Sequence, residues 1–558
     1  MAEDGELSPV GGVFCSSGRP GRQTYGSSAH YRSLLGGLLD LRQSGLLFDV
    51  VLLVEGRPIQ AHRILLAASC DYFRGMFAGG LEETQQKEIP IPGVSYMVIE
   101  KILDYIYTSE IELDLECVKE VLRAATLVQV SHYVIGFCCE FLFTWLDEGN
   151  ILEVHALADL YGLQQLHARV HSYILRNIQT LSRTDVYRQL PQDKVFRALS
   201  SDELQVNSEY EVYKAALHYH FSPEQVETDQ VYLQDNLRMV DAVRFCLIEK
   251  QVLQRLHGRL NKCPLKDSVS AALSYHEQEI WQPVLQSHLT QPRSTMHCIL
   301  GFGGMFTSIS HPDKHENLFQ VFHPSWGEWR TVTEKLTPRM SNQGIAVLNN
   351  FVYLVGGDNY TSEFRAETHC WRYDPRLNSW CSIQPLQQQH ADHCVCVVGD
   401  HIYAIGGRDY KHALDSVERY DPHTNKWEFV SPLKRESIVE GTFLINNERG
   451  HRHDVLKVAC FEPSDNSWSL MTPLPVGHEG PGVAVLDSCI YILGGRSIDR
   501  GNRGKSVHAY NTEADEWECK AEFKERVLGM AACVVLMPPS VIAQAQSWEQ
   551  RTKDSIED

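Results

Sequence analysis

The sequence lacks several features that would place it in common functional classes. Its 558 residues contain no block of five or six basic residues, and 51 Lys and Arg stand against 71 Asp and Glu, a net charge of -20. A chain of this charge repels a phosphate backbone, so we do not expect nucleic acid as a partner. No segment approaches 18 uninterrupted apolar residues, and membrane insertion is therefore not predicted.

The first residues and the cysteines both argue against secretion. The segment "MAEDGELSPVGGVFCSSGRPG" is acidic where a signal peptide is positively charged, and it has no apolar core. The 16 cysteines are scattered and form no C-x-x-C pair, which is typical of small buried apolar residues in a reducing compartment. We therefore expect a cytosolic protein, with the nucleus and the cytoskeleton as alternative locations.

The pattern of apolar residues changes twice along the chain. "FDVVLLVEG" (48–56) predicts a strand that ends in a turn, and "ILLAASCDYFRGMF" (64–77) has helical spacing. Residues 115–290 have almost no strand signals, and "NILEVHALADLYGLQQL" (150–166) repeats leucine at steps of three to five residues. The first half is therefore predicted as an α+β domain followed by an all-helical one.

After about residue 295 the sequence contains an internal repeat. "FVYLVGG" (351–357) recurs as "HIYAIGG" (401–407), as "CIYILGG" (489–495) and, more loosely, as "CILGFGG" (298–304). A second unit places an aromatic residue seven residues before a Trp, and the steps between these tryptophans are 51, 47, 41 and 49 residues. This period is typical of four-stranded propeller blades.

Two departures from a regular repeat lead to specific predictions. The first repeat has no first strand, and we predict that "LGMAACVV" (528–535) supplies it by pairing with "CILGFGG", which closes the ring. Between Trp427 and Phe461 the sequence offers "GTFLINN" as a first strand and "DVLKVAC" as a third strand, with no Gly-Gly second strand. Our hypothesis is an internal deletion near Asn447, from splicing or a gene model, of about one blade plus one strand.

These segments together resemble one protein family. "FDVVLLVEGRPIQAHRILLAASCDYFRGMF" resembles the BTB domain, "LADLYGLQQL" and "VRFCLIEKQVL" resemble the BACK domain, and the repeats resemble kelch motifs. The chain is identified as a member of the BTB-BACK-kelch family with a shortened kelch domain. The resemblance predicts a disordered leader (1–31), an α+β BTB domain (32–145), an all-α BACK domain (146–290), an all-β kelch β-propeller with about five recognisable blades, one of them incomplete (296–537), and a flexible acidic tail (538–558).

The resemblance also implies a function. Proteins of this kind are non-catalytic substrate adaptors of a cullin-3 RING ubiquitin ligase, in which the BTB domain forms a homodimer and binds cullin-3 while the propeller recruits a protein substrate. The family's cullin-contact motif falls on Leu81 and Glu83 in "MFAGGLEE". The alternatives are that Leu81 packs locally and Glu83 is a solvated helix cap, and that the protein is a scaffold for a cytoskeletal or signalling partner without ligase function.

Substrate contacts are predicted in the loops that follow the glycine pairs and in those that enter the first strands, because such loops vary on a rigid ring. For each residue predicted in these loops, the alternative that it is a solvated side chain without a binding role stays equally open. If the arginines are used, an acidic or phosphorylated peptide is the ligand class. By position, the resemblance implies Arg339, Tyr360, Arg408, Tyr410, Arg435 and Arg496.

We predict no catalytic residue, cofactor or metal. "GNRGKS" (501–506) is followed by a strand pattern where a phosphate loop requires a helix, and Asp499 stands where that motif needs glycine. In "HADHCVC" (390–396) a strand directs His393 and Cys394 to opposite faces, so that one face offers two thiols, too few for a closed zinc site.

Overall fold

The computed structural model describes residues 13–17, 23–27, 30–79, 86–130, 132–227, 238–260, 264–307, 319–333, 340–359, 365–433, 443–446, 451–454, 456–462, 467–500, 502–523 and 526–547. The chain divides into two compact units, residues 1–174 and residues 175–558. None of the helices in these ranges is both long enough and apolar enough to span a bilayer.

The first unit mixes strands with helices. Its elements in chain order are β1 (Val13–Ser17), β2 (Gln23–Ser27), α1 (His30–Gln43), β3 (Val50–Val54), β4 (Arg57–Ala61), α2 (Arg63–Ser69), α3 (Asp71–Ala78), β5 (Glu88–Pro90), α4 (Tyr96–Thr108), α5 (Val118–Leu127), α6 (His132–Thr144), α7 (Ile151–Tyr161) and α8 (Gln164–Leu181), which continues into the second unit.

A three-stranded sheet in the order β4-β3-β5 supports the first half of this unit. In β3, alternate residues are buried, and Glu55 and Gly56 with positive φ make the predicted turn, which leads into β4. The predicted helix over 64–77 is interrupted at Cys70, whose backbone is extended and forms a bridge with Val130. The Cys70 thiol donates to the Val128 carbonyl at 2.6 Å. The α+β prediction is confirmed, with one helix divided into two.

The second unit begins with short helices. They are α9 (Asp185–Gln189), α10 (Gln192–Ser200), α11 (Glu209–His218), α12 (Pro223–Glu227), α13 (Lys250–Arg259) and α14 (Pro264–Glu277), with 3-10 turns at Arg238–Ala242, Phe245–Leu247, Glu279–Val284 and His288–Thr290. A buried ion pair fixes the end of this region: the Arg293 Nε donates to the Glu209 carboxylate at 2.5 Å, and both side chains are at most 5% exposed.

Strands make up the rest of this unit. They are β6 (Met296–Phe302), β7 (Met305–Thr307), β8 (Phe319–Phe322), β9 (Trp329–Thr333), β10 (Met340–Ser341), β11 (Gly344–Leu348), β12 (Phe351–Val355), β13 (Asp358–Asn359), β14 (Cys370–Asp374), β15 (Ser379–Ile383), β16 (Cys394–Val398), β17 (His401–Ile405), β18 (Val417–Asp421), β19 (Lys426–Phe429), β20 (Phe443–Asn446), β21 (His451–Asp454), β22 (Val458–Glu462), β23 (Ser467–Met471), β24 (Gly482–Leu486), β25 (Cys489–Leu493), β26 (Arg496–Ser497), β27 (Asn502–Arg503), β28 (Ser506–Asn511), β29 (Glu516–Glu522), β30 (Arg526–Leu528) and β31 (Ala531–Met537), followed by α15 (Pro539–Gln544) and β32 (Gln546–Ser547).

Four sheets have the full blade arrangement of four antiparallel strands. Their strand orders are β31-β6-β8-β9, β11-β12-β14-β15, β16-β17-β18-β19 and β24-β25-β28-β29. The first sheet is closed as predicted, because β31 pairs antiparallel with β6 over seven residues, from Ala531 opposite Phe302 to Met537 opposite Met296. "SVHAYN" (506–511) forms β28, a strand, as the argument against a phosphate loop requires.

Among the residues that the structure describes, the blade between β19 and β24 is incomplete, as the missing glycine pair predicts. The structure contains β22 paired with β23, which correspond to a third and a fourth strand. The segment predicted as a first strand forms β20, but it pairs with β21 in a separate two-stranded sheet. The consequence is visible on β24, where Val483 is 50% and Val485 is 60% exposed, whereas the equivalent Ile345 and Val347 of β11 are partly buried. A blade without a complete neighbour leaves one apolar face uncovered.

The structure differs from two predictions about the ends of the chain. Within the predicted disordered leader, β1 and β2 form an antiparallel hairpin, and the glycine- and serine-rich composition concealed the strand-forming Val13, Phe14 and Tyr25. The first half of the predicted flexible tail is also ordered. Val541 on α15 is 3% exposed, and β32 pairs with β9 as a fifth strand of the first sheet, because apolar residues continue past the predicted end of the propeller.

Candidate functional site

The glycine pairs explain where the predicted substrate residues lie. All four pairs, which end at Gly304, Gly357, Gly407 and Gly495, have positive φ at both glycines. A Cβ at Gly356 would lie 2.3 Å from the His390 carbonyl oxygen, and one at Gly407 would lie 2.5 Å from the Ala391 carbonyl oxygen. The pairs therefore serve close packing against the segments that enter first strands, and the residue after each pair begins a loop.

Arg408, which follows the third pair, is held by carboxylates of its own chain. Its Nε donates to Asp392 at 2.6 Å and its Nη2 donates to Asp358 at 2.5 Å, and Asn342 donates to the same Asp358 oxygen at 2.9 Å. Burial alone lowers the pKa of Arg408, but the hydrogen bonds and charges of the two aspartates raise it above the usual value. Its side chain is 26% exposed. Arg408 thus joins the second and third blades, and an acidic ligand would compete with Asp358 and Asp392 for it.

Two other predicted residues present more surface to solvent. Tyr410 is 47% exposed, and the Arg365 guanidinium lies 5.3 Å from the centroid of its ring. Arg496 is exposed, and its backbone pairs in both directions with Glu479 at 2.8 and 2.9 Å. A short hairpin of β26 and β27 thus carries the Arg496 guanidinium on a fixed backbone. The described candidates therefore differ in how accessible they are to a substrate. Tyr410 and Arg496 are exposed, whereas the Arg408 guanidinium is already bound by two carboxylates of its own chain.

The remaining predicted site residues lie outside the described part of the chain. They are Leu81 and Glu83 of the cullin-contact motif, and Arg339, Tyr360 and Arg435 of the substrate set. The helix that precedes the cullin motif is described: α3 ends at Ala78, and the Gly79 amide donates to the Gly75 carbonyl.

The histidines of "HADHCVC" are buried in the core of the blades. His390 is fully buried, with its Nδ1 2.7 Å from the Gly406 carbonyl and its Nε2 3.5 Å from Glu418. Burial lowers the pKa of His393 to about 3, so that this side chain is neutral at physiological pH. Both histidines pack beneath the glycine pairs, in agreement with the sequence-based assignment of this segment to a blade.

Sequence reasoning missed the residue that connects the propeller to the preceding helices. Arg376 Nη1 donates to the Tyr275 hydroxyl at 2.7 Å and to the Thr290 carbonyl at 3.0 Å, while Nε and Nη2 bind Asp374 at 2.8 and 2.6 Å. Arg372 adds hydrogen bonds to the Ile280 and Glu279 carbonyls. The sequence contained a signal for this residue. Only the second repeat has Arg two positions after the Asp of its "YDP" motif, and the next repeat has His423 at the equivalent position.

The first unit exposes apolar side chains that a solitary domain would bury. Leu34 on α1 is 60% exposed, and Leu47, just beyond the end of that helix, is 76% exposed. On α6, Tyr133 is 70% and Phe137 is 44% exposed, one helical turn apart. Exposed apolar residues at helical spacing are typical of protein-binding surfaces.

This architecture defines a class of protein: an α+β domain, a helical domain and a kelch propeller without a catalytic constellation among the described residues. Residues 38–146 match the BTB/POZ domain, residues 151–257 match "BTB And C-terminal Kelch", and residues 390–434 and 479–524 match the Kelch motif. The chain belongs to the kelch-like family of BTB-BACK-kelch proteins. This architecture is consistent with a substrate-adaptor role.

Relatives match over nearly the whole length. Kelch-like protein 22 of Mus musculus is 49% identical, over 93% of this chain and 90% of the relative, and that of Homo sapiens is 48% identical, over 98% and 95%. Kelch-like protein 26 of Mus musculus is 30% identical, over 93% and 95%.

The alignment lengths bear on the incomplete blade. The mouse alignment runs over 580 positions but contains 93% of 558 residues, about 519, so that about 60 positions have no residue of this chain. The relative therefore has about 60 additional residues within the matched region. One blade of this chain occupies 41 to 51 residues, so the difference is of the size that the predicted loss of about one blade plus one strand requires.

Proposed function

We propose that this protein is a substrate adaptor of a cullin-3 ubiquitin ligase and has no catalytic activity of its own. The observation that carries the proposal is the order of its three domains, a BTB domain, a BACK domain and a kelch propeller, in one chain. In such a complex the adaptor raises the effective concentration of a ubiquitin carrier beside a substrate lysine, and this requires only binding and orientation. We place the protein in the cytosol, with the nucleus and the cytoskeleton as alternatives.

Replacing Leu81 and Glu83 together by Ala is expected to reduce cullin-3 binding at least tenfold, because an apolar anchor beside a charged acceptor is a typical interface hot spot. The measurement is co-precipitation of cullin-3 with the full-length chain, followed by titration of the purified proteins.

Leu115 and Glu116 offer a matched control, because both are exposed in the same domain. Their double Ala variant should bind cullin-3 as the wild type does. Unchanged binding by the Leu81 and Glu83 variant would contradict the assignment of these residues. If the wild type itself does not bind cullin-3, the scaffold function is the better explanation.

We also propose that the protein forms a homodimer through the surface around α1. Leu34→Asp is expected to weaken the dimer at least about tenfold, or about 1.4 kcal/mol, because a charge would replace an apolar contact. The molar mass from light scattering at fixed protein concentration measures the change. Leu127→Asp, at a similarly exposed leucine outside α1, should leave the mass unchanged. A dimer that persists in the Leu34 variant would show that another surface holds it.

For the substrate, the exposed Tyr410 and Arg496 support recognition of an acidic or phosphorylated peptide at the propeller loops. Arg408 supports it less, because Asp358 and Asp392 already bind its guanidinium. Proximity labelling with the full chain and with a chain that lacks residues 296–537 would identify candidate substrates by difference.

A further inference from the structure

Helices α7 and α8 bring together three side chains of the kinds that bind transition metals. His155 and Asp159 lie on the same face of α7, four residues apart, and His167 lies near the start of α8. Gly162, with φ of +63°, ends α7 and allows α8 to begin at Gln164. One ligand atom from each of the three side chains lies within 4.8 Å of the other two.

The distances within this cluster are compatible with a shared metal ion. The His155 Nε2 lies 3.4 Å from Asp159 Oδ2, and the His167 Nε2 lies 3.2 Å from Asp159 Oδ1. A charge-assisted hydrogen bond between such groups is shorter, about 2.7 to 2.9 Å. Ligands at about 2.0 to 2.1 Å from a tetrahedral zinc ion are separated by roughly 3.3 to 3.4 Å, which is close to the observed spacing.

Burial and ligand type favour the same interpretation. The His155 side chain is 6% exposed and the His167 side chain is 18% exposed, so both imidazoles are largely shielded from solvent. The Asp159 side chain is 57% exposed, so that solvent reaches one side of the cluster. Two imidazoles and one carboxylate suit Zn²⁺, and three protein ligands leave the fourth position to water.

We propose that His155, Asp159 and His167 form a Zn²⁺ site that links α7 to α8. Zinc bound here connects two consecutive helices of the helical domain through side chains, in addition to the Gly162 turn. Because the ion binds the folded helix pair and not the unfolded chain, it stabilises this region increasingly as its free concentration rises.

The test measures zinc bound to the full-length chain after chelation, reloading with zinc and removal of loosely bound metal. The wild type is expected to retain one equivalent per chain more than Asp159→Asn, and to bind that equivalent at least tenfold more tightly. When cobalt replaces zinc, the wild type should show the visible absorption of a tetrahedral site. The Asp159→Asn variant should lack this absorption. Asp159→Asn changes an exposed, nearly isosteric group, so the fold should be retained, as circular dichroism can verify.

A second variant and a control complete the experiment. His167→Gln should lose the same equivalent, whereas His288→Gln, at an exposed histidine outside the cluster, should keep it. Equal zinc content and affinity in the wild type, Asp159→Asn and His167→Gln would overturn the proposal and leave Asp159 as a carboxylate that interacts directly with the two imidazoles.

Discussion

Arg376→Met is expected to destabilise the second unit by about 3 to 5 kcal/mol, the typical cost of removing one partner of a buried ion pair. Arg376 is 8% and Asp374 is 3% exposed, so the variant leaves a carboxylate in the interior without its counter-charge. Burial lowers the pKa of Arg376, but the hydrogen bonds and charges of Asp374 and Tyr275 outweigh burial and raise it. The wild-type arginine is therefore charged at every physiological pH.

The Arg376 variant should also loosen the connection between helices and propeller. Tyr275 and Thr290 belong to the helical region, and both accept hydrogen bonds from the same guanidinium nitrogen. We expect a lower melting temperature and faster hydrogen exchange in β14 and in the segment 279–290. The double variant Asp374→Asn with Arg376→Met should recover part of the loss, because no buried charge remains. A single variant as stable as the wild type would show that the ion pair does not hold this connection.

Gly356→Ala is expected to cost roughly 3 kcal/mol or more, the sum of backbone strain and overpacking. At Gly356, with φ of +57°, the new Cβ would lie 2.3 Å from the His390 carbonyl oxygen. The next blade offers a control at Gly399, with φ of +60°, where no atom lies within 4 Å of the position that a Cβ would take. The left-handed conformation costs both variants about 1 to 2 kcal/mol, but only the first adds overpacking, which typically costs about 1 to 3 kcal/mol.

Thermal unfolding of the two glycine variants measures this difference directly. The melting temperature of Gly356→Ala should fall well below that of Gly399→Ala, because its Cβ meets backbone that cannot rotate away. If the two variants are equally stable, the backbone at His390 shifts at little cost in free energy, and the glycine pairs are needed only for their φ angles.

The incomplete blade has a consequence for the protein as a binding module. Val483 and Val485 of β24 and Leu470 of β23 are at least half exposed, where a complete propeller would cover them with the next sheet. The exposed faces lie on the propeller, whereas the proposed cullin-contact residues lie in the BTB domain. We therefore expect the shortened propeller to affect the proposed recruitment of a substrate before the proposed binding of cullin-3.

Local patterns determined most of the fold. The seven-residue "FVYLVGG" unit predicts a strand covered on both faces, and the structure has β12 there with every residue buried. The absence of this unit between Trp427 and Phe461 predicts the incomplete blade. These inferences succeed because strand alternation, glycine conformation and repeat length are properties of short segments.

The sequence by itself thus determined the domain order, the pairing of β31 with β6 and the position of the missing strands. Only the tertiary structure decided which loop residues are available for binding. Arg408 and Arg496 occupy equivalent positions after a glycine pair, yet Asp358 and Asp392 hold the first while the second is exposed. Likewise, Arg376 meets Tyr275 about 100 residues earlier in the chain. Such partners are distant in sequence, and no local pattern specifies which charges the packing of blades and helices brings together.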